Sequence, residues 1–367
     1  MQPAEHRHHR RFNHGLAHLA SAEPHEVVAW FGAMQAQDYA SARWALGVRS
    51  PALTDAAVEQ AIADRSIVRT WALRSTLHLV AAADVHWLLA LIGPVMLART
   101  AAAYRQHGLD AQGFTRIEAA LREILQGGRQ LTRDALFAAL AQHDVDTSGM
   151  RGGRILYRAA LSGCICLASP HGRQMTYALL DEWVPNKRLP SREEALAELA
   201  RRYFRSHGPA TLRDFAWWSA LPLADARRGI ALAAASLREM QIDDQTCWSS
   251  QQELPPGADA CAAHLLPAFD EYFLGYENRT VGLDAIHFEH VMTNNGIFRP
   301  TILIGDEIVG IWARSSKKGT VSISTQLFRR LGKDEQAALA LAVERYARFL
   351  GASRSEIIHS PSGRQPA

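Results

Sequence analysis

The stretch Ile67 to Val80, IVRTWALRSTLHLV, is where the period of the chain changes. Its apolar and polar residues alternate, which puts Leu73, Leu77 and Leu79 on one face of an extended ribbon and Arg74, Thr76 and His78 on the other. Everything before it reads at helical spacing. A first helix opens with Ser21 as N-cap and Glu23 and Pro24 in its first turn, carries Val27, Phe31 and Met34 on one side, and ends near Gln35. A second runs through Ala42 to Val48, and a third opens at Thr54 with Val58 and Ile62 as its stripe. Three helices followed by a strand ribbon is the order a winged helix requires. A helix from Asp84 closes the unit, and Pro94 is expected to kink or split it.

The pattern recurs. Phe114, Ile117, Leu121 and Leu125 mark a helix, Thr132 caps a second, and Arg151 to Leu161 forms a third. The segment CICLASPHGRQMTYAL then reads as a hairpin turning at Pro170 to Gly172. A further round starts at the capping box Ser191 to Glu194, breaks at Gly208 and resumes at Thr211. Beyond Gln251 the chain becomes apolar runs punctuated by Pro and Gly, with turns at Gly305-Asp306 and Lys317-Lys318-Gly319 separating three strands before a helix from Lys333 to Leu350. The fold class is therefore α+β: three tandem winged-helix modules and a β-rich, barrel-like C-terminal domain. The expected boundaries are a basic, mobile tail over 1–20, modules over 21–110, 111–187 and 188–246, the C-terminal domain over 250–351, and a disordered tail over 352–367.

At 367 residues the chain exceeds the usual single-domain range, and 48% hydrophobic with 21% charged residues is ordinary globular composition. No apolar run long enough to span a bilayer is expected, and the basic start lacks the apolar stretch of a secretory leader, so a cytoplasmic, nucleoid-associated protein is expected. Cys164, Cys166, Cys247 and Cys261 show no zinc spacing and are read as thiols, not ligands or disulfides. His6, His8 and His9 are read as part of the solvated tail in preference to a metal site. The net charge of +3 is too small to declare a nucleic-acid partner, but only Lys187, Lys317, Lys318 and Lys333 among 40 basic residues are lysine. Arginine is the better phosphate fork, although a GC-rich genome gives the same bias.

Four blocks in order, MQAQD (Met34 to Asp38), RTWALRSTLHL (Arg69 to Leu79), LLPAFDEYFLGY (Leu265 to Tyr276) and NNGIFRP (Asn294 to Pro300), resemble the AlkZ/YcaQ family of winged-helix DNA glycosylases over roughly residues 10 to 351. The resemblance implies a C-shaped array of winged helices with a basic channel for duplex DNA and hydrolysis of N-glycosidic bonds to alkylated purines, bulky adducts and crosslinks included. The catalytic motif it implies is Gln-x-Gln in AlkZ-like members and Gln-x-Asp in the YcaQ-like branch; here it is Gln35-Ala36-Gln37.

An amide is no general base near neutral pH, so a Gln pair needs a substrate that supplies part of the driving force. A purine alkylated at N7 or N3 is cationic and leaves readily, and the enzyme then has to place a water and stabilise an oxocarbenium-like sugar with fixed dipoles. Residues i and i+2 face one side only in an extended segment or turn, so Gln35 and Gln37 belong at a helix end, with both side chains expected to be exposed. The plainer alternative is that both merely cap the helix. Asp38 either orients Gln37 or the water, or caps the next helix. Arg69, Arg74 and His78 are candidate phosphate contacts or the polar face of a half-buried ribbon; Trp71, Trp217 and Trp218 are read as core before base-stacking. The tips at His171 to Arg173 and around Lys317 and Lys318 are candidate wedges or phosphate clamps. Asp270, Glu271, Arg279 and Arg299 are read as an ion-pair framework, the two arginines also as DNA contacts. The expected protein is a monofunctional, metal-free and cofactor-free monomeric glycosylase acting on double-stranded DNA. The competing reading is a winged-helix transcriptional regulator, which gives the Gln-x-Gln no role. A glycosylase/lyase lacks a well-placed lysine, and a metallo-nuclease lacks its ligand motifs.

Overall fold

The computed structural model describes residues 3–16, 19, 22–106, 109–251, 261–279, 281–293, 296–317 and 319–359. Ser21, Asn294, Asn295 and Lys318 lie outside the described residues.

A strand pair forms within the alternating stretch, but Leu73–Ser75 is the turn between its strands, so Leu73 and Arg74 do not share strand faces with Leu77 and His78 as the alternation suggests. Strand β1 (Met34–Gln35) precedes β2 (Ile67–Trp71) and β3 (Leu77–Ala81), and the last two pair antiparallel from Ile67 opposite Ala81 to Trp71 opposite Leu77. The helices Pro24–Phe31, Tyr39–Gly47 and Asp55–Ala63 come before β2, and Thr54 caps the third by accepting from the Ala57 N–H. The first helix starts later than Ser21: Glu23 is its cap, in a reciprocal pair with Glu26, and Pro24 stands at the first helical position, where a missing N–H costs nothing. Helices Ala111–Leu125, Arg133–Ala141 and Arg151–Leu161 accompany β4 (Leu131–Thr132), β5 (Ile165–Leu167) and β6 (Thr176–Leu179). These two rounds share one sheet of order β1-β3-β2-β5-β6-β4, joined where Arg69 of β2 pairs with Leu167 of β5. The third round, helices Arg192–His207, Leu212–Ser219 and Leu223–Ala233, has its own sheet of β7 (Ala210–Thr211), β8 (Leu237–Ile242) and β9 (Gln245–Ser250).

The C-terminal region differs from the expected barrel. Strands β10 (Ala263–Leu266), β11 (Thr301–Ile304), β12 (Glu307–Lys317), β13 (Thr320–Leu327) and β14 (Arg354–His359) form an open sheet in that order. It stays open because the last strand joins in parallel beside β13, after the helix Lys333–Phe349 has crossed the sheet, and does not return to β10. The segment 354–359, placed by the sequence in a disordered tail, is ordered by that ladder.

The basic start is a helix, Pro3–Asn13, and not a solvated tail. Its polar side chains find distant partners: Arg10 lies over the Tyr276 ring, Arg11 pairs with Asp306 at 2.9 Å, and the Asn13 side chain donates to the Gly208 carbonyl at 2.6 Å. The helix Ala82–Gln106 runs on through Pro94. Its segment Ala82–Ala102 is long and apolar enough to cross a membrane by length and composition, contrary to the expectation from the sequence, but Val85, Trp87, Leu88 and Ile92 are buried in the middle core, so it packs as a core helix.

One core joins the first round to the C-terminal sheet. Trp44 donates its indole N–H to the Leu265 carbonyl at 2.6 Å and stacks edge-on against Tyr346. Arg49 and Asp270, both buried, form a two-pronged ion pair at 2.8 Å on each prong. Early and late parts of the chain thus meet beside the Gln-x-Gln segment.

Candidate active site

The helix Pro24–Phe31 is stopped by Gly32 at φ 85°, and the chain turns into β1. Gln35 lies opposite His78, and the Ala36 N–H donates to the Leu77 carbonyl at 2.7 Å. Gln35 therefore ends a short strand and Gln37 stands at the bend that follows it, so the pair lies outside the helix in a strand-to-turn segment. The two side chains differ: Gln35 is buried, 8% exposed, and Gln37 is exposed. The expectation that both are exposed fails for Gln35, because β3 and the Glu271 turn enclose it. Its Oε1 accepts the Gln37 N–H at 2.6 Å, and Gln37 Oε1 accepts the Leu77 N–H at 3.4 Å. Each amide oxygen has two lone pairs, so each keeps one for a further donor. Asp38 is the N-cap of the helix Tyr39–Gly47, accepting from the Ser41 N–H at 2.6 Å.

The ribbon's polar face is not a solvent face. Arg69 is buried and donates to the Ala36 carbonyl at 2.8 and 3.1 Å and to the Gln37 carbonyl at 3.3 Å, with its guanidinium over the Tyr39 ring. It fixes the motif's backbone, and the expected phosphate contact is corrected: its donors are turned inward. His78 is fully buried, its Nδ1–H donating to the Thr76 carbonyl at 2.9 Å, so it cannot reach a phosphate either. Burial, then the Arg74 charge, pushes its pKa down to about 4, and Nε2 has no hydrogen-bond partner. Arg74 sits at the sharp turn between β2 and β3, at φ 52°, and donates to the Trp218 carbonyl at 2.7 Å.

Beneath the motif lies Glu271, 1% exposed. Its Oε1 accepts the Gln35 N–H at 2.8 Å; its Oε2 accepts the Trp218 indole N–H at 3.0 Å and faces His207 Nε2 at 3.4 Å. Burial alone would raise this carboxyl, but the His207 hydrogen bond and the Arg74 charge hold it down at about 2, so it is ionised at neutral pH. From the sequence, Asp270 and Glu271 are equivalent members of an ion-pair framework. Asp270 fits that reading through Arg49; Glu271 instead touches the motif, and its presence in the LLPAFDEYFLGY block is the only sequence signal of it.

Trp218 is core, whereas Trp217 is 39% exposed. Arg74 and Arg279 lie 5.9 and 5.2 Å from the Trp217 ring centre. Trp217 and Arg74, together with Arg99, Arg213 and Leu221, line an open cleft of about 720 Å³. Arg279 also packs on Phe298, and Arg299 is half-buried. His171, Arg173 and Lys317 are exposed at hairpin tips. Among the described residues no group of three or more His, Cys, Asp and Glu is placed to hold a metal ion.

A family model described as DNA glycosylase AlkZ-like matches residues 28–349. The chain belongs to the AlkZ-like DNA glycosylase family. An interstrand DNA cross-link repair glycosylase from Streptomyces sahachiroi is 26% identical over 308 residues, 78% of this chain and 81% of that one. The solved structure of Streptomyces sahachiroi DNA glycosylase AlkZ superposes with a TM-score of 0.81 at 23% identity, covering 97% of this chain and 99% of the other, which shows the shared fold. For an AlkZ-like chain, DNA is the partner and base release in DNA repair is the activity class; the regulator reading is not favoured.

Proposed function

We propose that this AlkZ-like glycosylase hydrolyses the N-glycosidic bond of N7- or N3-alkylated purines in duplex DNA, leaving an intact abasic site, with Gln35 and Gln37 holding the attacking water. The observation that carries the reading is the strand-to-turn segment Gln35–Gln37, with one side chain locked and one open to solvent. The locked Gln35 oxygen aims the Gln37 backbone, and the free lone pairs of both oxygens converge on one water and turn their negative ends toward the sugar. Fixed dipoles act without reorganising as charge develops at C1′. Water is the nucleophile, so the activity is monofunctional, and the cationic leaving group removes the need for a metal. The relative's crosslink repair extends the substrate class proposed for this chain to bulky adducts and interstrand crosslinks.

The three helix-hairpin rounds act as winged helices along the duplex. The contacts we assign to phosphate are Arg74, on the open cleft, with His171, Arg173, Arg279, Arg299 and Lys317; Lys318 belongs with them by sequence alone. The protein is proposed to work as a cytoplasmic, nucleoid-associated monomer. The test is incubation with duplexes carrying N7-methylguanine, N3-methyladenine or a crosslink, with released bases read by mass spectrometry. Free base and intact abasic DNA, unchanged by chelator and untrapped by borohydride, is the expected result. A borohydride-trapped adduct overturns the monofunctional reading, and no release from any substrate overturns the substrate class.

A further inference from the structure

Strand β1 is the edge of its sheet, with β3 on one side only. The Ala36 N–H points to β3, so by the alternation of an antiparallel ladder the Gln35 N–H points the opposite way, to the side where no strand follows. A buried carboxylate takes the missing strand's place: Glu271 Oε1, at 2.8 Å, 236 residues away in the chain. A neutral carbonyl would satisfy that N–H with far less loss of hydration than an ion. The ion is also held in place from behind, by the Trp218 indole N–H at 3.0 Å and by His207 at 3.4 Å. On the same three residues, the Arg69 guanidinium takes the Ala36 and Gln37 carbonyls. The motif is thus gripped between a buried anion on its donor and a buried cation on its acceptors.

We propose that Glu271 is a positioning residue for excision: its carboxylate sets the direction of the Gln35–Gln37 segment and supplies, one hydrogen bond behind it, the fixed negative charge that two neutral amides lack. The proposal rests on the reading that the two amides hold the water. Chemistry that builds positive charge at the sugar gains from a carboxylate locked close behind its dipoles in a dry setting. Glu271 makes no contact with the substrate; it works through Gln35.

The experiment is single-turnover excision of N7-methylguanine by the full-length protein, comparing wild type, Glu271→Gln, Glu271→Asp, Gln35→Ala and Gln37→Ala, with affinity for undamaged duplex and melting temperature recorded for each. Glu271→Gln keeps an oxygen for the Gln35 N–H and removes the charge; Glu271→Asp keeps the charge and withdraws it by one methylene. Both are expected to slow excision about 10- to 100-fold, the scale of an ångström of misplacement, while duplex affinity stays within about twofold. Should Glu271→Gln fail to fold, because its amide meets the Trp218 and His207 donors, Glu271→Asp decides alone. If a folded Glu271 variant excises at the wild-type rate, with only its melting temperature lowered, Glu271 is packing and the proposal is overturned. If Gln35→Ala and Gln37→Ala also run at the wild-type rate, the water-holding reading fails instead, so the two failures are told apart.

Discussion

The β2–β3 ribbon and the β12–β13 hairpin are both antiparallel pairs with basic residues, yet they put those residues to opposite use. In the ribbon, Arg69 and His78 are buried and direct hydrogen bonds to backbone carbonyls of the chain itself. In the hairpin, the end from Arg314 to Lys317 is exposed. The ribbon's turn is covered by Trp218 and the edge of the adjoining β1 by Glu271, both more than a hundred residues later in the chain, whereas the hairpin's tip stays open among the described residues. A basic residue on a strand becomes part of the scaffold or part of a surface according to what packs on that face, and alternation alone does not tell which.

The largest effect separating the two regions is expected at Arg69. Removing it leaves the buried Ala36 carbonyl without its donors, at roughly 1–3 kcal/mol for an unsatisfied buried group. Arg69→Ala is therefore expected to lower unfolding free energy in urea by about 1–3 kcal/mol and to lose excision with it. A variant of unchanged stability would return Arg69 to the DNA-contacting surface.

Acid should strike the buried region next. His78 is held down to about 4 and His264 to about 3, chiefly by burial, and His14 and His207 are lowered too. Each folded value lies below the ordinary histidine value near 6.5, so the unfolded chain binds more protons between the two, and stability rises with pH across that window. As pH falls from about 6.5 toward 4 stability is lost, by at most about 1.4 kcal/mol per pH unit per histidine. Glu271 adds a loss in the same direction from its ordinary value of 4.5 down to its folded value of about 2, because across that window the unfolded chain binds the proton and the folded chain does not. Urea melts at pH 7 and pH 5 check this; equal stability at the two would mean these rings are not buried neutral.

What can be read from the sequence depends on the range of the interactions. Helices and ribbons are set locally, so Thr54, Thr132 and Ser191 act as caps where the pattern puts them, and a strand pair forms within the alternating stretch Ile67 to Val80. That Gln35 and Gln37 lie outside the helix follows from asking both side chains to face one side, which a strand or turn allows and a helix does not. What was not readable came from far along the chain. The first helix forms around Arg10 and Arg11 because Tyr276 and Asp306 accept them, and the C-terminal sheet stays open because β14 joins beside β13. Glu271 is adjacent to Asp270 and looks equivalent to it, but one turns to Arg49 and the other to Gln35.

The smallest effects are expected at the tips. Lys317→Ala and Arg173→Ala should change stability by no more than about 0.5 kcal/mol, since exposed positions of this kind touch little. Their signature lies in binding: removing one phosphate-neutralising charge should flatten the dependence of log affinity on log salt by about 0.9 for undamaged duplex. An unchanged slope would place the tips off the DNA.

The central claim, that two differently held glutamines act as one water-binding unit, is tested most directly by single-turnover release of N7-methylguanine under saturating enzyme. Gln37→Ala, at an exposed side chain, should slow release by at least about tenfold, or roughly 1.4 kcal/mol, with melting temperature and duplex affinity unchanged. Gln35→Ala should lose both rate and some stability, and the double variant should lose less rate than the two single losses combined. Wild-type release by a folded Gln37→Ala protein would contradict the claim and leave Gln35 and Gln37 as a structural edge strand and turn between two helices.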